Sequence, residues 1–159
     1  MVKIFICIAV IVSSTLIGKS LTDKHAKKLS FFSLLKDFNS SLKRNVKFRR
    51  QNLIELLDLK SNDEDFNCFL SSYKLKVLSK SDEECFYPKW IDNDDKYFLK
   101  SYIEGVGKNG SQSELDFINS YEEIIDEKLL KIKEDKRKFA NLGQKLGFIF
   151  GVGLVVIII

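Results

Sequence analysis

The residues able to do chemistry in this chain are few, and none stands beside the partner its chemistry needs. Cysteines occur at 7, 68 and 85, an odd number at wide spacing without a C-x-x-C pair, and His25 is the only histidine. A disulfide framework needs paired cysteines and a zinc site needs clustered thiolates or imidazoles, so neither is expected and no cofactor is implied. A nucleophilic serine or cysteine needs a base within hydrogen-bond reach, yet His25 lies in the lysine-rich stretch Lys19 to Lys28 and reads as a helix-surface or packing residue. From Ser81 to Asp95 the chain gathers Asp82, Glu83, Glu84, Asp92, Asp94 and Asp95 around Tyr87-Pro88-Lys89-Trp90. This stretch lacks the central glycine and the closing glutamate of a calcium loop, so helix capping and turn formation account for it better, with Trp90 as a core anchor. Gly105-Val106-Gly107-Lys108-Asn109-Gly110 satisfies G-x-G-x-x-G, but no strand pattern precedes it and no β-α-β context follows. The chain is therefore read as a non-enzyme with no small-molecule substrate.

Those glycines make sense as a helix stop and tight turn, with Gly105, Gly107 and Gly110 supplying the backbone freedom, and with Ser111 and Glu114 at the spacing of a capping box for the next helix. That helix carries the strongest local pattern. Ile118, Ile125, Ile132, Phe139 and Leu146 recur at seven-residue intervals with Leu115 and Leu129 beside them, and neither Gly nor Pro intervenes between Ser111 and Leu142. Glu122, Glu123, Asp126 and Glu127 lie early and the lysines late, as the helix dipole prefers, and Glu127–Lys131 and Glu134–Lys138 are favourable four-residue pairs. The segment to Leu142 would extend about 48 Å. Its face of Ile118, Ile125, Leu129, Ile132 and Phe139 reads as that of a rigid strut.

The rest of the interior is helical too. Leu29, Phe32, Leu35, Phe38, Leu42 and Val46 form one stripe, Leu53, Ile54, Leu56 and Leu57 a short second helix, Phe66, Phe69, Leu70, Tyr73 and Val77 a third, and a fourth runs from about Asp94 to Glu104. Pro88 is the sole proline, and thirteen phenylalanines supply an aromatic core. Lys43, Arg44, Lys47, Arg49 and Arg50 form a basic cluster, either a solvated face or a contact for an acidic partner or lipid head groups. The net charge of +4 is modest and both signs are mixed, which does not favour nucleic acid.

The chain of 159 residues is apolar at both ends. Ile4 to Ile17 is free of charge but only about 14 residues, short for a hydrocarbon core of about 30 Å unless Lys3 and Lys19 snorkel. A cleaved signal peptide is the competing reading, because a lysine, an apolar stretch and Ser13, Ser14 and Thr15 follow in that order. Leu146 to Ile159 is apolar throughout, and Gly143, Gly147 and Gly151 fall on one helix face where a second membrane helix can approach closely. Basic flanks at Lys19 to Lys28 and at Lys131 to Lys145 place the interior on the cytoplasmic side. The expected organisation is an N-terminal transmembrane helix (1–19), a cytoplasmic helical domain (20–142) and a C-terminal transmembrane helix (143–159). Its fold class is all-α: a small cytoplasmic bundle whose long last helix runs into the membrane.

The frame Ser14-Thr15-Leu16-Ile17-Gly18, opening into a leucine-patterned helix, and the ending Asn141-Leu142-Gly143-Gln144-Lys145-Leu146-Gly147 through Ile159 resemble stage III sporulation protein AB of endospore-forming bacteria. Gly107 followed by the Ser111 to Ile118 helix start resembles the family's glycine, Ser-Asp turn and glutamine-bearing helix. Here Asn109-Gly110 and Glu114 stand in place of Ser-Asp and Gln, and Lys43, Arg44 and Asn45 stand where the first helix usually ends in acidic residues. The resemblance implies a component of the channel joining mother cell and forespore, similar to the cytoplasmic domains of type II secretion platform proteins. Implied partners are a cytoplasmic secretion-type ATPase encoded beside it and other channel membrane proteins. The implied location is the mother-cell membrane around the forespore. The alternative is a secreted envelope structural or adhesion protein, with a cleaved signal peptide and a C-terminal anchor.

Overall fold

The computed structural model describes residues 2–49, 53–58, 60–79, 84–108 and 110–158; the side chains of 2–12, 14–22, 49, 111, 139–148 and 150–158 are outside the description. Five α-helices and one π-helical turn make up its regular structure: α1 (Val2–Arg44), the π turn (Asn45–Arg49), α2 (Leu53–Leu57), α3 (Glu64–Ser79), α4 (Asn93–Gly105) and α5 (Ser111–Ile158). No strand occurs among the described residues. The chain divides into two compact units, one of Met1–Leu29 with Leu130–Ile159 and one of Ser30–Leu129. This division falls later on α1, and earlier on α5, than the expected boundaries at 20 and 142. Among the described residues, no helix is long and apolar enough to cross a membrane. The apolar runs 4–17 and 146–159, with Gly143, Gly147 and Gly151, have side chains outside the described residues apart from Ser13 and Ile149.

In the Ser30–Leu129 unit, the helix starts follow from local polar chemistry. Asp63 caps α3, its carboxylate accepting from the Phe66 amide at 3.2 Å, and Glu64 and Asp65 add negative charge to the first turn. Before it, the Asn67 side chain closes the loop by accepting from the Ser61 amide and donating to the Ser61 carbonyl, both at 2.8 Å. Asp92 caps α4 by accepting from the Asp95 amide at 3.0 Å, which assigns the end of the acidic 81–95 stretch to capping.

The centre of this unit is aromatic. Phe31 is fully buried and meets Phe66, Phe69 and Trp90 edge-on, with ring centroids 5.2, 5.6 and 5.6 Å away. Trp90 anchors from its polar side as well, its indole N–H donating to Asp65 at 2.7 Å. A buried polar relay ties three helices together: the Tyr102 hydroxyl donates to the Asn39 carbonyl oxygen at 3.0 Å, and the Asn39 amide donates to the backbone carbonyl of Ile118 at 3.1 Å. Both side chains are fully buried, so each group relies on the other for its hydrogen bond. Lys128 of α5 completes the join. Its ammonium lies 2.7 Å from the Asp95 carboxylate and 4.9 Å from the centroid of Phe98, pairing charge and π-face in one place.

Burial also sets the alkaline limit of the fold. It holds the Tyr73 and Tyr87 phenols up at about 12 and that of Tyr102 well above its ordinary value of 10. In the unfolded chain these groups ionise near 10, so stability is intact below that pH and declines as the pH rises toward 12. A fully buried phenol such as Tyr102 contributes more to this decline than half-exposed Tyr87. Urea titrations of the full chain at pH 7, 8.5 and 11.5 should show a flat midpoint between the first two and a clear drop at the third.

Candidate functional site: the α4–α5 turn and its cleft

α4 stops at Gly105 because the backbone leaves the helix there. Val106 is extended, its amide still donating to the Tyr102 carbonyl at 3.1 Å, and Gly107 takes φ +78°, a left-handed conformation that side-chain-bearing residues rarely adopt. Glu114, nearly buried on the first turns of α5, accepts from the Gly107 amide at 2.8 Å, while its own amide donates to the Gly110 carbonyl at 2.8 Å. The Tyr73 hydroxyl of α3 donates to the Val106 carbonyl at 3.4 Å and steadies the turn from the other side. Ser111, the other expected member of the cap, has its side chain outside the described residues.

The Gly107 amide is already occupied by an internal carboxylate, at a place in a G-x-G-x-x-G loop where a nucleotide site would offer amides to phosphate. The element before the loop is a helix. The motif therefore builds a turn, and an anion there would meet Glu114. The three glycines are not equivalent. A Cβ on Gly105 would lie 2.3 Å from the Phe117 ring, so that position admits the close approach of α4 to α5. Gly107 is needed for its φ, and a Cβ on Gly110 would meet nothing within 4 Å. Gly105→Ala should cost about 1–3 kcal/mol by overpacking against Phe117, and Gly110→Ala well under 1 kcal/mol. Chemical denaturation of the two variants checks the contrast.

Beside the turn lies a cleft of about 340 Å³, walled by Leu53, Tyr73, Val77, Ile103 and Val106, with Lys76, Glu104 and Lys108 also lining it. The sequence pattern shows no cleft here, because its walls come from α2, α3 and α4 and the turn that follows.

The other expected positions fall in several places. Ile118 and Ile125 are fully buried and Leu129 nearly so within the Ser30–Leu129 unit, where this part of the α5 face forms core. Ile132 is buried in the other unit, and Phe139 has its side chain outside the described residues. The Glu134–Lys138 pair is present at 3.9 Å and exposed, which gives it little energetic weight. In the basic cluster, Lys43 is paired with Glu122 of α5 and Arg44 donates to the Ser41 hydroxyl at 2.9 Å. Lys36 pairs with Asp126 at 2.6 Å, and the hydrogen bond to that carboxylate raises its pKa. The Cys85 thiol is pushed up by burial and Cys68 is exposed; neither is in a disulfide. Among the described residues, no group of histidine, cysteine and carboxylate side chains could hold a metal ion.

The family model described as stage III sporulation protein AB matches residues 3–159. No curated protein and no solved structure matches the chain.

Proposed function

We propose a function from one premise, that the chain belongs to the stage III sporulation protein AB family: it is a non-enzymatic, membrane-anchored component of the channel between mother cell and forespore, and a docking platform for a cytoplasmic secretion-type ATPase. The match across residues 3–159 is the observation that carries this reading, because it takes in both apolar ends together with the helical interior. Three further features support it. The apolar runs at 4–17 and 146–159 suit membrane helices, and their basic flanks suit a cytoplasmic interior. The polar groups of the Ser30–Leu129 unit are spent on holding helices together, as the Asn39 relay and the Lys36, Lys43 and Lys128 ion pairs do. An apolar cleft beside the α4–α5 turn is suited to receive a side chain from a partner protein.

An in-frame deletion followed by microscopy during sporulation tests the channel role. Cells lacking the chain should complete engulfment and then stall before late forespore gene expression. The full chain should rescue them, and a version lacking 143–159 should not. Normal spores from the deletion would sink the reading. Gly147→Leu should impair sporulation while leaving the thermal transition of the helical interior unchanged, because the substitution blocks close approach of membrane helices. Normal sporulation in that variant would remove the packing role from the glycine face.

A further inference from the structure

Positive charge is concentrated in one short stretch of the chain. Residues 38–54 hold five of its 26 lysines and arginines (Lys43, Arg44, Lys47, Arg49 and Arg50) and none of its 22 acidic residues, a net charge larger than the +4 of the whole chain. Lys43 is neutralised by Glu122 of α5. Arg44 and Lys47 are exposed and form no ion pair among the described residues, so their charge faces water. The π turn Asn45–Arg49 within this stretch also displays an aromatic ring. Asn45 is buried and Val46 half-buried, whereas Phe48 is 81 % exposed, more than any other large apolar side chain among the described residues. A π turn interrupts the regular ladder of a helix, and such turns recur at functional sites. A rigid ring held in water beside cations is the composition of an interface anchor, where aromatic and arginine side chains are enriched.

We propose that this turn is the surface that docks the secretion-type ATPase, with Phe48 entering an apolar pocket on an acidic face of that partner and Arg44 and Lys47 meeting carboxylates at the pocket's rim. The assignment rests on the ATPase-docking reading and adds to it where contact is made and what the partner must offer. Charge selects the partner: a cluster without acidic neighbours attracts and steers an acidic surface and repels a basic one. The ring supplies what charge alone lacks, a fixed point of contact that sets register and slows release. The other anionic surface a cluster of this kind could meet is a lipid bilayer. A helix lying on lipid buries a broad apolar face, whereas here Phe38 and Leu42 are buried in the protein, Val46 is half-buried, and Phe48 is the only exposed apolar side chain described between 38 and 48. One ring ringed by cations matches a pocket in a protein better than a membrane surface.

The full chain in nanodiscs of neutral lipid would be titrated with a purified secretion-type ATPase from the same organism, alongside Phe48→Ala, Lys47→Glu and Lys47→Arg. Phe48→Ala and Lys47→Glu should each weaken binding about tenfold, the first by emptying the pocket and the second by setting like charges together, while Lys47→Arg should change it less than about twofold. Added salt should weaken binding of the unaltered chain more than that of Lys47→Glu, because the charge contact is what salt screens. All three variants should keep the thermal transition of the unaltered chain, since both side chains are exposed. No binding by the unaltered chain would overturn the docking reading and this surface with it. Binding by the unaltered chain that Phe48→Ala and Lys47→Glu leave undiminished would overturn this surface alone. A loss in those variants that appears only when the discs contain anionic lipid would assign the turn to lipid head groups and would also overturn it.

Discussion

Phe31→Ala should remove about 4 kcal/mol, enough to leave the Ser30–Leu129 unit at the margin of folding. The side chain is fully buried on α1 and meets rings from α3 (Phe66 and Phe69) and from the segment before α4 (Trp90), so no single neighbour can collapse into the space it leaves. The loss combines transfer of a large apolar group to water with the cavity left behind, and the edge-on ring geometry adds a smaller term. Urea denaturation of the full chain in mild detergent, followed by tryptophan fluorescence, is an apt readout because Trp90 touches the substituted ring. Phe31→Leu should lose less than half as much, since leucine refills part of the volume. Equal losses from the two substitutions would mean that packing at this point does not hold the unit together.

Lys128→Met should be the second large effect, at about 2–3 kcal/mol. Asp95 is only 4 % exposed and the Lys128 ammonium lies 2.7 Å from its carboxylate, so Lys128→Met takes a close opposite charge away from a buried carboxylate. Breaking a buried pair from one side is costly because the remaining charge keeps its desolvation penalty. The partial exposure of Lys128, 26 %, places the expected value below that of a fully buried pair. Adding Asp95→Leu to Lys128→Met should recover most of the loss, because an apolar pair of similar volume carries no such penalty and the Asp92 cap uses only the backbone amide of residue 95. A double variant no more stable than Lys128→Met would show that the aliphatic stem of Lys128, and not its charge, supports the join.

How much could be read before any coordinates depended on how local the cause was. The stripe Phe32, Leu35, Phe38 and Leu42, the stripe Phe66, Phe69, Leu70 and Tyr73, and the repeat Ile118 and Ile125 all lie buried, because apolar residues at helical spacing must face something other than water. α4 was equally legible from the acidic run before it, of which Asp92 acts as cap. The turn at Gly105 to Gly110 was legible as a turn, but not the Gly107–Glu114 hydrogen bond that shuts its amide away from an anion. A seven-residue repeat is also the same letters whether it edges a strut or lines a bundle, and Ile118 and Ile125 line the bundle.

Partnerships across the chain were not legible. Lys43 looked like part of a free basic cluster, yet Glu122, which pairs with it, is 79 residues away, and so is Ile118 from the Asn39 that donates to its carbonyl. Only the antiparallel course of α1 and α5 brings those residues together, and neither sequence neighbourhood carries a trace of the other. The π-helical turn at Asn45–Arg49 had no signal of its kind, being free of both Gly and Pro, and it leaves Phe48 81 % exposed beside buried Asn45. That Leu75 and Leu78 of α3 are exposed could be read only once Phe66 and Tyr73 were known to face the core.

Equilibrium binding tests the proposed docking of a secretion-type ATPase most directly. The full chain reconstituted in lipid nanodiscs would be titrated with a purified secretion-type ATPase from the same organism, using empty nanodiscs as the reference. Saturable binding in the micromolar range that is absent from empty nanodiscs is the predicted result; no binding above the empty-disc level at high micromolar ATPase would contradict it.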